Sequence, residues 1–151
     1  MSITTSQAVA AIRARLEAAA FTFQLRWQGE DGGPLPDEPE TFAHIVFNND
    51  GSGRGPVAFG GGAGRNLYRN QATVDAYVFV PNGQGLSAAT DAAELIAAQL
   101  RSFRDSSISC FSADVIPVGE GSNISPPGLS SEVSNYQCAV AECALHFDQI
   151  G

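Results

Sequence analysis

Three groups of residues in this sequence are of types that do chemistry: a glycine-rich stretch flanked by arginines, three cysteines and two histidines. Seven glycines fall at 51, 53, 55, 60, 61, 62 and 64, with Arg54 and Arg65 among and beside them. A phosphate-cradling loop ends in Gly-Lys-Ser/Thr and opens a capped helix whose amide groups face the anion. Gly60-Gly-Gly-Ala-Gly-Arg65 has neither feature, and the chain contains no lysine. The stretch is therefore read as a long hairpin tip or arm, and no cofactor is expected. Cys138 and Cys143 stand five residues apart in a strand pattern, which points them to opposite faces. No histidine or second close cysteine pair completes a four-ligand set, so no metal is expected, and both, with Cys110, are expected as free thiols. His44 and His146 each lie inside a strand pattern, and the sequence has no Gly-x-Ser-x-Gly elbow, no His-Glu-x-x-His and no Asp-rich calcium loop. No catalytic residue is assigned, and the expectation is a protein that is not an enzyme.

Two charge clusters remain. Arg54, Arg65 and Arg69 gather around the glycine stretch, while Glu30, Asp31, Asp37, Glu38 and Glu40 lie in a Gly/Pro-rich segment. Arginine forks suit carboxylates on a protein surface as well as phosphates. With 16 acidic side chains against eight arginines the net charge is −8, the opposite of a nucleic-acid-binding domain. Arg54, Arg65 and Arg69 could touch a phosphate backbone, and are at least as consistent with docking on an acidic protein surface. The acidic segment is by default a solvated surface, and in a functional role it would repel passing DNA or complement those arginines on a neighbour.

A chain of 151 residues suffices for one domain over 1–151, and 44% hydrophobic residues exclude a disordered chain. Charged residues make up only 16%, against about 25% in an average soluble domain. A surface so poor in charge suits large subunit contacts. The opening Met1-Ser-Ile-Thr-Thr-Ser6 has no basic segment leading into an apolar run, and no stretch approaches the roughly 20 apolar residues of a membrane span. The chain is expected to stay in the cytosol in which it is made, with no membrane partner.

The apolar periodicity predicts a helix over about 5–20 with Val9, Ile12, Leu16 and Ala19 as its buried stripe and Thr4, Thr5 or Ser6 as its cap. Alternation over Phe21–Trp27 and Phe42–Phe47 predicts strands. Tyr68–Val80 is the clearest strand, with Val74, Ala76, Val78 and Val80 on one face and a near-continuous apolarity that implies a central position. A second helix is predicted from Ser87, its cap, to about Phe103, with Ala92, Leu95, Ile96, Gln99, Leu100 and Phe103 as its stripe. Strands follow over Ile108–Val118, with Pro117 marking an edge or end, and over Val133–Phe147. Loops are expected at about 28–41, 51–65 and 119–132. This order gives an α+β fold: a mixed, mostly antiparallel sheet, two helices packed against it and a long Gly-rich loop or arm.

The opening helix with Ala11-Ile-Arg-Ala-Arg-Leu16 is followed by a Gly/Pro-rich segment and by the strand Val74–Val80. That strand ends in Val80-Pro-Asn-Gly-Gln-Gly85 and leads straight into the helix Ala92–Phe103. In this order the chain resembles the tail terminator proteins of long-tailed bacteriophages and related gene-transfer particles. The resemblance covers most of the chain, its last two strands by pattern alone. It implies a non-enzymatic structural protein of the virion tail and neck, assembled in the bacterial host cytoplasm. Family members form a homohexameric ring that caps the tail tube, stops its polymerisation and joins the tail to the head connector, leaving a channel through which DNA passes. The implied partners are further copies of the chain, the tail-tube protein and the head-connector or neck protein. Arg54, Val57, Phe59, Arg65 and Arg69 then become candidate subunit or tail-tube contacts. The 51–64 segment is richer in glycine than the family pattern. Two other readings are another phage neck or tail completion protein, and a small cytosolic ligand-binding domain or enzyme built on the Gly-rich loop.

Overall fold

The computed structural model describes residues 2–49, 58, 60, 62–105, 108–121, 124, 126–127, 129 and 133–151. Helix α1 spans Thr5–Ala18. Of the three candidate caps it uses Thr4: the Thr4 hydroxyl accepts from the Gln7 amide at 3.2 Å, and the Gln7 side chain accepts from the Thr4 amide at 2.9 Å. Its buried residues are Ala8, Ile12 and Leu16. Val9 and Ala19, expected on that stripe, are half-buried, because the axis turns Ala8 toward the sheet.

Five strands follow or flank the second helix: β1 (Gln24–Trp27), β2 (Phe42–Asn49), β3 (Leu67–Pro81), β4 (Ile108–Glu120) and β5 (Tyr136–Ile150). They form one sheet in the order β1-β2-β3-β5-β4. Only β1 and β2 run parallel; every other pair is antiparallel. The mixed, mostly antiparallel α+β fold with two helices is thus present, β3 is central, and β4 with Pro117 is an edge.

Val74, Ala76, Val78 and Val80 are buried on the face that carries both helices, together with Ala43, Ile45, Ala139, Ala141, Cys143 and Leu145 from the flanking strands. Helix α2 (Leu86–Leu100) lies on that face with Ala89, Ala93, Ile96, Ala97 and Leu100 buried. Small alanines let the helix backbone approach the strands closely. This stripe is rotated from the expected one: Leu95 is 54% exposed, and Phe103 lies half-buried beyond the helix end. The cap differs too. Gly85, at φ +82°, is the N-cap and no side chain caps the helix, so Ser87 lies inside it. A residue without a Cβ is needed there because the chain enters the helix in the left-handed region.

The opposite face buries a smaller cluster at one end, where Phe42 stacks on Phe79 at 5.0 Å and Tyr136 meets both rings edge-on. Val133, Leu35, Ile124 and Leu129 close over it. Among the described residues, no helix is long and apolar enough to cross a membrane.

Candidate functional site

The contact residues assigned from sequence divide. Arg54, Val57 and Phe59 lie outside the described residues, as does most of the 51–64 stretch. Arg65 is exposed and closes a tight turn, its amide bonded to the Gly62 carbonyl at 3.2 Å. The turn lies between Ala58 and Leu67, which pair across an isolated antiparallel bridge. Gly60 is obligatory in it, because a Cβ there would lie 1.9 Å from the Arg65 carbonyl oxygen. Arg69 sits on β3 directly opposite Asp148 of β5 and forks onto it, Nε to Oδ1 at 2.8 Å and Nη2 to Oδ2 at 2.9 Å. That bond holds the Asp148 carboxyl below the usual range and raises the arginine. Arg69 is therefore engaged within its own chain, whereas Arg65 is exposed.

The acidic 28–41 segment is likewise partly held by its own chain. Glu30 pairs with Arg13, which also bonds Glu17 at 2.9 Å. Arg26 of β1 is only 7% exposed. Its guanidinium donates to the carbonyls of Gly33 at 2.8 Å and Pro34 at 3.2 Å and lies over the Phe42 ring. A buried cation of this kind is stabilised by several carbonyl dipoles at once, and it pins the segment to the sheet.

Both histidines make contacts within the fold. His44 is 2% exposed and its Nε2 donates to the Pro127 carbonyl at 2.7 Å; burial lowers its pKa and keeps it neutral. His146 is half-buried, stacks with Phe111 at 5.8 Å, and is likewise lowered by burial and then by Arg69. Cys138 and Cys143 fall in the clusters on opposite faces, as their spacing requires, and all three cysteines are free and buried. Cys110 and Cys143 are neighbours, a contact invisible in the sequence because it depends on the register of β4 against β5. Their mutual hydrogen bond and burial push the Cys143 thiol upward, and burial alone pushes Cys138 up to about 12. Thiols so raised are inert. Among the described residues, no group of three or more His, Cys, Asp or Glu side chains is arranged to hold a metal ion.

One arrangement has no counterpart in the sequence pattern. Asp75 of β3 is in register with Glu142 of β5, and Glu142 with Asp114 of β4, so three carboxylates cross the sheet in one row on the face away from the helices. Glu142 and Asp114 are exposed. Asp75 is half-buried; Asn48 donates to its Oδ2 at 3.3 Å, while its Oδ1 is buried without a hydrogen-bond partner among the described residues. Burial and then Glu142 raise the Asp75 carboxyl. Next to the row, β4 exposes Phe111 (54%), Ile116 (46%) and Val118 (38%). This half of the sheet face is apolar and anionic together.

Two grooves lie elsewhere. The larger, about 630 Å³, runs between the start of β1 and α2 and is lined by Phe23, Leu35, Phe42 and Leu95 with Glu40 and Asp91. The smaller, about 360 Å³, separates α1 from β1 and β2. Compared with family models and with curated proteins, the chain has no match.

Proposed function

We propose that the chain is a ring-forming structural protein of a phage tail, a tail terminator that caps the tail tube, stops its growth and joins the tail to the head connector around a channel for DNA. The observation that carries this reading is the unit β3–turn–α2. The central strand ends at Pro81, turns through Gly83 at φ +94° and Gly85 at φ +82°, and enters an amphipathic helix at Leu86. These are the residues on which the resemblance to tail terminators rests. Supporting it are a surface with 16% charged residues and an apolar sheet face that the described chain leaves open. The partners are further copies of the chain, the tail-tube protein and the head-connector protein; DNA passes without specific binding, and the protein catalyses no reaction.

The test is arrest of tube growth. Added to polymerising tail-tube protein from the same particle, the chain is expected to sit at tube ends and limit their length. Tubes of unchanged length with no chain at their ends would contradict the reading. A second reading, a small ligand-binding domain, is favoured by the 630 Å³ groove, in which Glu40 and Asp91 would face a cationic or hydroxylated ligand. Tube arrest with no small-molecule binding separates the two.

A further inference from the structure

We infer that the groove between the start of β1 and α2 receives an extended segment of a partner protein in which a basic side chain stands beside aliphatic ones. The inference goes beyond the ring reading and does not rest on it, because one chain builds the whole groove. Its volume, about 630 Å³, falls within the range of ligand-sized clefts. Helix α2 forms one wall with Ala88, Asp91, Ala92 and Leu95, whose spacings of three and four place them on one helix face. That face is not the one spent on the sheet, which is Ala89, Ala93, Ile96, Ala97 and Leu100. The helix therefore has a second apolar stripe beside its buried one, and Leu95 on it is left 54% exposed. The facing wall holds half-buried Phe23 and Leu35, and Phe23 is fixed there by stacking on Phe21 at 5.0 Å.

Charge selects the occupant. The charged side chains lining the groove are Glu40 and Asp91, both acidic and both exposed. Among the described residues neither has an ion pair, while the arginines beyond the groove are engaged elsewhere. Arg13 pairs with Glu17 and Glu30, Arg69 with Asp148 and Arg101 with Glu94, and Arg15 and Arg26 donate to backbone carbonyls. A cation that answers Glu40 and Asp91 thus comes from another molecule, and aliphatic side chains next to it meet Leu35, Phe23 and Leu95. Nucleic acid carries the wrong charge for this groove. A peptide fits better than a simple amine, because Gln24 and Gln84 in the lining each offer an amide donor and an acceptor, the pair that a main-chain peptide unit requires.

The test is fluorescence anisotropy with three labelled peptides of sequence Gly-Ser-Leu-X-Leu-Ser-Gly, blocked at both ends, where X is Arg, Glu or Ser. The arginine peptide is expected to bind about tenfold more tightly than the glutamate peptide, the scale of one charge-assisted contact. Asp91→Lys is expected to reverse that order, and Leu95→Ser to weaken the arginine peptide without restoring the glutamate one. Both positions are exposed, so melting temperatures are expected to stay near wild type. Equal binding of the arginine and glutamate peptides, an order untouched by Asp91→Lys, or no binding at millimolar peptide would each overturn the inference. Butylammonium binding as tightly as the arginine peptide would overturn it in favour of a small cationic ligand. Tube arrest without peptide binding would overturn it and leave the tail reading standing, whereas peptide binding with the expected charge order and no tube arrest would support it and contradict the tail reading.

Discussion

Asp75 stands opposite Glu142 with one buried oxygen that has no hydrogen-bond partner among the described residues, and burial together with that neighbour raises its carboxyl. A carboxyl raised in the folded state makes its charged form a cost to stability above the folded pKa. The cost disappears as pH falls below the unfolded value of about 3.9. Asp75→Asn is therefore expected to stabilise the chain near pH 7 by roughly 0.2–1 kcal/mol, the scale of one cross-strand pair, with no gain near pH 3. Urea unfolding at the two pH values checks both halves, and a loss at pH 7 would contradict the assignment. Asp148 has the opposite sign. Its carboxyl is depressed by the Arg69 fork, so the stability it contributes is present above the unfolded value and is lost as pH falls through the folded one. Arg69→Ala is expected to lower the melting temperature at pH 7 and to leave it unchanged at a pH below the folded pKa of Asp148. His44, buried neutral on the Pro127 carbonyl, adds stability that is whole above about pH 6.5 and falls away as acid protonates the unfolded chain.

For the elements, α2 is the sharpest case. Leu100 is fully buried and Leu95 is 54% exposed, although the two leucines look alike in the sequence. Leu100→Ala is expected to cost about 2–5 kcal/mol, and Leu95→Ala less than about 0.5 kcal/mol, as surface sites do. Equal losses in denaturant unfolding would mean that Leu95 also faces the sheet. At the start of the same helix, Gly85→Ala puts a Cβ at φ +82° and is expected to cost roughly 1–2 kcal/mol. The β3 alternation of Val74, Ala76, Val78 and Val80 is legible in the sequence because those residues differ sharply from Thr73 and Asp75. The α2 stripe is not, because Ala89, Ala93 and Ala97 carry almost no hydropathy signal while Leu95 carries a strong one. The parity of Cys138 and Cys143 is readable because β5 is regular between them; the meeting of Cys110 with Cys143 depends on the register of β4 against β5, which no spacing reveals. Register hides the carboxylate row as well, since Asp75, Asp114 and Glu142 become neighbours only once three strands are aligned. Arg26 escapes because alternation says which side a residue faces, not that a loop's carbonyls will cover it.

At the scale of the whole molecule, the asymmetry of the sheet links structure to proposed role. One face is closed by two helices, while the other presents exposed Phe111 and Ile116 beside a line of negative charge. In the proposed tail role, a patch of this composition would face another protein of the particle. In the proposed ring, a contact between unlike patches on identical copies must close to avoid filaments. Ring closure is thus the property on which the proposed tail role depends, and the native mass of the purified chain measures it directly. One dominant closed species is expected, of six copies by the resemblance to tail terminators, imaged as a ring with a central channel. A mass that stays at one chain at high concentration and in the presence of tail-tube protein would contradict the proposed role.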